Sequence, residues 1–139
     1  MTKAVLISIN PKWCELIASG KKTVEVRKSR PKLETPFKCY IYQTQRGGVI
    51  GEFVCWCISG CRFARDDNLW FSNDENIESY EEVKNSCLSA KEIIDYGQGK
   101  GLWFWHISDL VIYDKPKALC EFDIEYPPQS WRYVKEMTE

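Results

Sequence analysis

Residues 19–28 read SGKKTVEVRK, and this stretch decides how the N-terminal part of the chain folds. Gly20 suits the position just past a helix end, where the backbone turns left-handed. The residues after it alternate between polar and apolar, which is typical of a strand with one buried face. The sequence therefore predicts a strand over 23–27, with Thr23, Glu25 and Arg27 on one face.

The residues before this stretch predict a helix over 11–19. Trp13, Leu16 and Ile17 follow i, i+3, i+4 spacing, which puts them on one helical face. Asn10 is a suitable cap for the first turn. A short helix-to-strand unit thus presents a row of polar side chains next to an apolar helix face.

The remaining pattern is one of short strands with few helices. The alternation, turn residues and capping signals predict further elements along the chain. These are a strand over 4–9, a hairpin over 37–58, an irregular polar insertion over 59–80, a helix over 79–85, a helix that starts at the Ser89/Glu92 capping box and stops at Gly97, strands over 102–107, 110–113 and 117–124, and an irregular tail. This predicts an α+β fold, a small mixed β-barrel of about six strands with two or three peripheral helices.

Length and composition limit the kinds of protein that this sequence can be. At 139 residues, 44% of them hydrophobic, the chain is expected to form a single domain over 1–139. No apolar run is long enough to predict a membrane span, and no secretory signal is recognised at the start. The seven cysteines are then expected to be free thiols in the cytoplasm.

Charge is unevenly distributed although the formal net charge is only −1. Residues 21–38 carry seven Lys or Arg against two Glu, whereas residues 66–95 carry nine Asp or Glu against two Lys. A local basic surface of this kind can attract phosphate even on a nearly neutral protein. A solvated basic loop is the alternative interpretation.

The stretch over 6–28 resembles the ASCH domain family, whose fold is related to the PUA RNA-binding barrel. The matching residues are Gly20, Lys22, Thr23, Glu25 and Arg27, which follow the family pattern of a helix ending in Gly-x-Lys-Thr before a polar strand. The segments over 49–53, 105–110 and 127–131 also resemble the family, the last two resembling a small subgroup often carried in phage and prophage genomes.

The resemblance implies a fold and several functions. It implies a PUA-like barrel with an RNA- or nucleotide-related cleft between the first helix and the barrel. Some family members resemble amidohydrolases of N4-acylated cytidine that use Lys, Thr and Glu, and others are ribonucleases. The position of the nucleophilic Thr in that pattern is occupied here by Glu25, and its third residue falls near Glu81 and Glu82.

From the residues alone, Lys22, Glu25 and Arg27 are open to two interpretations. They could line a cleft in which Glu25 activates water and a neighbouring cation stabilises an oxyanion. They could equally form a structural ion pair across a strand. We expect the three to converge on one concave surface at the end of the first helix.

Other chemistry-bearing residues also have competing interpretations. His106, the single histidine, could be a base oriented by Asp109 next to Ser108, or a half-buried structural histidine. Cys55, Cys57 and Cys61 match no zinc-ligand spacing, so no metal is expected. Most of the six tryptophans should fill the core, with Trp13 and Trp131 as candidate platforms for unpaired bases.

The predicted function is binding of RNA or a modified nucleotide in a basic cleft at the end of the first helix. The alternatives are a hydrolase, acting as an N4-acylcytidine amidohydrolase or a ribonuclease, and a phage-encoded protein-interaction module. No cofactor and no membrane partner are expected, and the oligomeric state is left open. The candidate catalytic residues are Lys22 and Glu25, and the candidate substrate-binding residues are Ser8, Trp13, Lys21, Thr23, Arg27, Lys28, His106 and Trp131.

Overall fold

The structure is a computed structural model that describes residues 2–63, 69–72, 79–98 and 100–137. Its elements follow one another along the chain as strands, three α-helices and one short 3-10 helix. They are β1 (Lys3–Ile9), α1 (Pro11–Ala18), β2 (Val24–Arg27), β3 (Phe37–Gln43), β4 (Val49–Phe63), β5 (Leu69–Ser72), α2 (Ser79–Ser86), α3 (Ala90–Gly97), β6 (Leu102–Lys117), the 3-10 helix (Leu119–Phe122) and β7 (Trp131–Lys135).

One sheet contains all seven of these strands, in the order β2-β6-β4-β3-β1-β7 with β5 paired to β4 beside this path. β1 and β3 run parallel and the other pairs are antiparallel. The sheet is open and does not close into the predicted small barrel: in the described residues no backbone ladder joins β2 to β7, which are the two ends of the strand path. The α+β class and the mixed sheet are confirmed.

The two sheet edges are nevertheless joined by side chains. Arg27, at the end of β2, donates from Nη1 to Ser130 Oγ at 3.2 Å, just before β7. Trp131 donates from Nε1 to Ser29 Oγ at 2.9 Å. The sheet thus curves around a core that includes Trp105 and Phe53, and polar side-chain contacts take the place of a final backbone ladder.

Two further apolar clusters attach the peripheral elements. α3 packs on the outer face of β2 and β6 through Ile93, which contacts the cluster of Val24, Val26, Leu102 and Phe104. Phe122 of the 3-10 helix packs with Tyr40 on the outer face of β1 and β3. The helices α2 and α3 are therefore held beside β2.

The predicted breaks after 107 and after 113 are wrong, because β-bulges keep one strand paired from Leu102 to Lys117, and the predicted strand over 117–124 is largely a 3-10 helix instead. Val54 lies opposite Ser108 and Glu52 opposite Val111, so β6 has one extra residue there. Asp109 accommodates it with a left-handed φ of 49°. A second register shift lies between Ile112 and Lys117, and it includes residues 114–116, which were expected to separate two strands.

Three other expectations also need correction. Part of the expected irregular insertion continues β4 as far as Phe63, and the rest includes β5. The tail contains β7, which pairs with β1 rather than packing irregularly. Gly97 is the last residue of α3, and the left-handed position after it belongs to Gln98, at φ 49°.

No helix in the described ranges is long and apolar enough to cross a bilayer. That the whole chain of 139 residues forms one domain remains a prediction.

Candidate functional site

An open cavity of about 560 Å³ lies between α1, β2 and α3, where β1 and β3 end. Its size is within the range of small-ligand sites in proteins. Its wall combines aromatic, polar and charged side chains from five parts of the chain. The lining residues are Ser8, Asn10, Trp13, Lys22, Glu25, Val26, Arg27, Thr44, Leu88, Glu92, Asp95 and Tyr96.

Local structure explains how β2 presents its polar row to this cavity. The Asn10 side chain caps α1, and Gly20 adopts a φ of 83° that ends the helix and redirects the chain. In β2 successive side chains point to opposite faces. Glu25 and Arg27 therefore face the cavity, while Val24 packs against α3.

Lys22 is almost completely buried, with 1% of its surface exposed. Its Nζ donates to the Ser86 carbonyl at the C-terminal end of α2 and lies 3.3 Å from Glu25 Oε1. It also lies 4.9 Å from the centre of the Trp13 ring. A carbonyl at a helix C-terminus and a carboxylate are both favourable partners for a buried ammonium. Lys22 thus links α2 to β2 and to the cavity wall.

Glu25 is held between two cations. Its Oε2 accepts from Arg27 Nη2 at 2.7 Å, and its Oε1 faces Lys22. Burial by itself would raise the pKa of this carboxyl, but the charges of Arg27 and Lys22 outweigh burial and hold the pKa below its ordinary value. Glu25 is therefore ionised at neutral pH, and both of its oxygens have a cationic partner.

Arg27 connects the cavity to the seam between the sheet edges. Besides Glu25, its Nη2 donates to the Ser8 carbonyl at 2.7 Å, and its Nη1 contacts Ser130. The planar guanidinium satisfies several acceptors at fixed angles, which an ammonium could not do. Arg27 thus holds β1, β2 and the start of β7 together at the cavity.

Two aromatic residues stand at the mouth of the cavity, each with a lysine over its ring. Lys12 Nζ lies 4.6 Å from the centre of the Trp13 ring, and Lys28 Nζ lies 4.8 Å from that of Tyr96. Tyr96 is 37% exposed, so part of its ring is open to solvent. Flat, partly exposed rings of this kind are suitable surfaces for a planar ligand.

The cavity is zwitterionic rather than uniformly basic. Its wall carries Lys22, Glu25 and Arg27 at β2, and Glu92 and Asp95 on α3. Glu92 also accepts from the Ser89 backbone N–H at 3.0 Å, which completes the capping box of α3. The lysines that give the region its positive character lie around the mouth instead.

The structure brings together half of the residues that the sequence singled out. Ser8, Trp13, Lys22, Glu25 and Arg27 line the cavity, and the expected convergence of the last three is confirmed. Lys28 lies at the rim, over Tyr96. The other candidates do not line it: these are Lys21, Thr23, His106 and Trp131.

His106 lies away from the cavity, buried between β6 and α2. Its Nε2 is 2.8 Å from Glu82 Oε2, which also accepts from Ser59 Oγ, and Trp56 packs against its ring. The expected carboxylate, Asp109, is not its partner, because it lies three residues further along β6, roughly 10 Å away in an extended strand. The sequence left open which acidic residue of the insertion joins the site; Glu82 pairs with His106 and does not line the cavity.

Thr23 and Trp131 have structural contacts instead of cavity contacts. The backbone N–H of Thr23 donates to the backbone carbonyl of Asn85 at 2.9 Å, and the carbonyl of Thr23 accepts from the backbone N–H of Ile107. The Trp131 ring packs edge-on against Trp105, with centres 5.8 Å apart, and its indole N–H is bound by Ser29. Both residues hold elements around the site in place.

Sequence reasoning missed most of the wall that α3 supplies. Glu92 was recognised as part of a capping box, but nothing local indicated where α3 docks. Asn10 was predicted as a cap only. Thr44 follows β3 and reaches the cavity because β3 pairs in parallel with β1.

The buried cysteines behave as core side chains. Burial raises the pKa of Cys14 and of Cys55 to about 12, so both are protonated thiols. In the part of the chain that the structure describes, no group of three or more His, Cys, Asp or Glu is arranged to hold a metal ion. The side chain of Cys61 lies outside the described residues, and the absence of a metal stays a prediction.

Comparison with solved structures shows the same fold elsewhere. The crystal structure of ASCH from Zymomonas mobilis is 24% identical, with a TM-score of 0.74, and the match covers 96% of this chain and 88% of that one. Two mutant forms of that protein match with TM-scores of 0.72, at 24% and 22% identity, covering 96% and 97% of this chain and 89% and 92% of theirs. At this level of identity the likeness shows the fold alone. A search of curated proteins gave no match.

The family profile of the ASCH domain matches residues 7–97, which contain the helix–Gly–strand unit, the long hairpin, α2 and α3. This match spans most of the cavity wall described above and well over half of the chain. The protein therefore belongs to the ASCH domain family, a family with a PUA-like fold that is associated with RNA binding.

Proposed function

We propose that this ASCH domain binds RNA or a modified nucleoside, and that one unpaired base enters the cavity beside β2. The observation that carries the proposal is the cavity of about 560 Å³ with Trp13 and Tyr96 at its mouth and polar groups behind them. Unpaired bases are commonly recognised by stacking on aromatic rings together with hydrogen bonds to their edges. Both kinds of contact are available here.

The charges favour a neutral base over a phosphate inside the cavity. Lys22 and Arg27 already have carboxylate and carbonyl partners, so an incoming anion would compete with Glu25 for them. Glu92 and Asp95 would also repel it. The same two carboxylates are good acceptors for the N–H groups on a base edge or for ribose hydroxyls.

In this proposal the phosphates of the ligand contact the rim of the cavity. Lys12 and Lys28 lie over the two aromatic rings that flank the mouth. A base that stacks on either ring would bring its phosphate close to the corresponding lysine. Binding would then combine stacking with a salt-dependent attraction, as is usual for single-stranded nucleic acid.

Hydrolysis is the second candidate, because a buried lysine and a carboxylate meet in the cavity wall. Cleavage of an N4-acylated cytidine or of an RNA phosphodiester would need a proton acceptor for the attacking group. Glu25 is poorly suited to this role, since its pKa is lowered and both of its oxygens face cations. This supports binding over catalysis.

A protein-interaction function remains the third candidate. A phage-encoded protein-interaction module would be expected to use an exposed apolar patch; among the described residues Trp56, Val111 and Ile112 are large exposed hydrophobics. We favour nucleotide binding because the cavity combines aromatic and polar groups. We further propose that it operates in the cytoplasm.

The test is titration with cytidine, N4-acetylcytidine and short single-stranded RNAs, followed by calorimetry and by chromatography of the products. We expect binding without turnover, and at least ~5-fold weaker binding for Trp13→Ala, since stacking on one aromatic ring is worth about 1–3 kcal/mol. The matched control is Trp56→Ala, which removes an exposed tryptophan outside the cavity.

Two results would overturn this assignment. Product release that Glu25→Gln abolishes, with ligand affinity retained, would establish the hydrolase instead. Equal loss of affinity in the Trp13 and Trp56 variants would remove the cavity from the binding site.

A further inference from the structure

The loop that leaves β2 carries a cation at every second position. Lys28, Arg30 and Lys32 alternate with Ser29 and Pro31. Pro31 is buried, and Ser29 accepts hydrogen bonds from Trp131 Nε1 at its hydroxyl and from Trp105 Nε1 at its carbonyl. The intervening residues thus fix the loop to the protein, and the cations project from it.

Each of these positions lies beside an aromatic residue. Lys28 lies over Tyr96, and the Arg30 guanidinium lies 5.4 Å from the centre of the Trp103 ring. At the third position the Lys32 backbone N–H donates to the Tyr133 hydroxyl at 2.8 Å. The three pairs come from different elements, because Tyr96 belongs to α3, Trp103 to β6 and Tyr133 to β7.

A fourth cation adds positive charge at the Tyr133 end of the row formed by these three pairs. Lys3 Nζ lies 5.3 Å from the centre of the Tyr133 ring. Lys135, which pairs with Lys3 across β1 and β7, is exposed as well. The positive charge therefore extends from the seam of the sheet onto β7 and its neighbour β1.

The row begins at the cavity and crosses the gap between the sheet edges. Tyr96 lines the cavity and also contacts Lys28, so the first pair belongs to both. The loop then passes from the end of β2 to β7, where Tyr133 receives its hydrogen bond. A ligand chain that leaves the cavity mouth would meet the three pairs in sequence.

We propose that these pairs form a track for about three nucleotides of single-stranded RNA, continuous with the base held in the cavity. This inference rests on the proposed function and extends it to a longer partner. The loop bends at Lys28 and Lys32, and even in a fully extended chain alternate residues are only roughly 7 Å apart, so the three cations are close enough together to contact successive phosphates of one strand. Cations would take the phosphates, and the partly exposed rings would take the bases.

The pairing of each cation with an aromatic residue is the feature that favours single-stranded nucleic acid here. Duplex RNA hides its base faces in the stack, so it would use the cations but not the rings. An acidic peptide would likewise leave the rings unused. If the track exists, the binding affinity should depend strongly both on the charged side chains and on the aromatic rings.

The first experiment measures affinity against chain length with fluorescein-labelled oligoadenylates of one to eight nucleotides. We expect affinity to rise until about four nucleotides, one stacked on Trp13 in the cavity and one at each of Tyr96, Trp103 and Tyr133, and then to level off. A length-matched RNA duplex should bind at least ~10-fold more weakly than the single strand. An affinity independent of length, or tighter duplex binding, would overturn the track.

The second experiment reverses the charges with Lys28→Glu, Arg30→Glu and Lys32→Glu combined. The salt dependence of oligoadenylate binding should weaken by about two in the slope of log K against log salt, since each phosphate contact contributes roughly 0.7. Trp103→Leu should lower affinity at unchanged slope. The control Lys115→Glu changes an exposed lysine at the far end of β6, and it should leave both quantities unchanged.

Binding of free nucleosides distinguishes a wrong track proposal from a wrong cavity proposal. A second variant, with only Arg30→Glu and Lys32→Glu, leaves the rim residue Lys28 in place; if it keeps its affinity for free nucleosides but loses the length dependence, the track is established. If the wild type binds nucleosides with no gain from added length, the track is refuted while the proposed cavity function stands. If oligonucleotides bind the track but nucleosides do not bind at all, the cavity assignment fails instead.

Discussion

At the scale of single residues, Glu25 illustrates how burial and charge combine in this site. The carboxylate is only 5% exposed, yet it stays ionised because Lys22 and Arg27 contact its two oxygens. Local alternation in β2 predicted that Glu25 and Arg27 share a face. The convergence of Lys22, which precedes the strand, on the same surface was also expected, whereas its burial and its contact with the Ser86 carbonyl come from the tertiary structure.

Glu25→Gln should destabilise the fold by about 3–5 kcal/mol at pH 7, because it leaves two buried cations without their shared carboxylate. The pKa of Glu25 is lowered from 4.5 in the folded protein, so its stabilising contribution is present above this pH. That contribution is lost as the pH falls below 4.5 and through the folded-state pKa.

Urea unfolding of both proteins between pH 7 and pH 3 checks this expectation. The difference in unfolding free energy should be largest at pH 7 and should shrink below pH 4.5. Asp95→Asn, an exposed carboxylate of the same cavity, serves as the control and should change stability by less than about 0.5 kcal/mol. A pH-independent difference for Glu25→Gln would contradict the ion-pair account.

At the scale of elements, α3 shows which boundaries a sequence encodes. The Ser89/Glu92 capping box predicted the start of this helix, and both of its hydrogen bonds are present. The expected stop at Gly97 is shifted by one residue, since Gln98 takes the left-handed conformation. A helix cap depends on residues close together in the sequence, so it can be predicted from the sequence. The position in which the helix docks depends on distant residues, so it cannot.

Ser89→Ala should cost about 1 kcal/mol of stability and should loosen α3 in particular, because the hydroxyl satisfies the Glu92 backbone N–H. Hydrogen exchange by mass spectrometry should show faster exchange over 90–97 than in the wild type. Nucleoside binding should weaken too, since α3 supplies Tyr96 to the cavity.

Ser19→Ala is the matched control, since that hydroxyl donates to a carbonyl at the end of α1 instead. It should leave exchange in α3 unchanged. Uniformly faster exchange throughout the Ser89→Ala protein would mean that α3 does not open separately from the sheet.

At the scale of the whole molecule, the fold depends on a sheet whose edges meet without a backbone ladder. β2 and β7 are bridged by Arg27 to Ser130 and by Trp131 to Ser29. The same guanidinium also binds Glu25 and the Ser8 carbonyl. The seam and the candidate site are therefore one hydrogen-bonded unit.

Arg27→Lys should destabilise the protein by about 1–3 kcal/mol, because an ammonium cannot satisfy these separated acceptors together. β7 should exchange its amide hydrogens faster, whereas the paired interior strands β3 and β4 should be little affected. Calorimetric melting and hydrogen exchange measure the two effects.

Arg46→Lys provides the comparison, as Arg46 forms an exposed ion pair with Glu15. Such pairs contribute little, so this variant should lie within about 0.5 kcal/mol of the wild type. If Arg27→Lys is equally neutral, the seam does not depend on the guanidinium.

From the sequence alone, the helix–Gly20–strand unit, the shared face of Glu25 and Arg27, the capping box of α3 and the resemblance to the ASCH family could be predicted. Each depends on residues a few positions apart, whose spacing and conformational preferences are visible in the chain itself. Tertiary structure alone placed α3 along the cavity, paired His106 with Glu82, bulged β6 at Asp109 and set β7 beside β1. These features depend on packing between segments far apart in sequence, and no local pattern specifies which distant surfaces will meet.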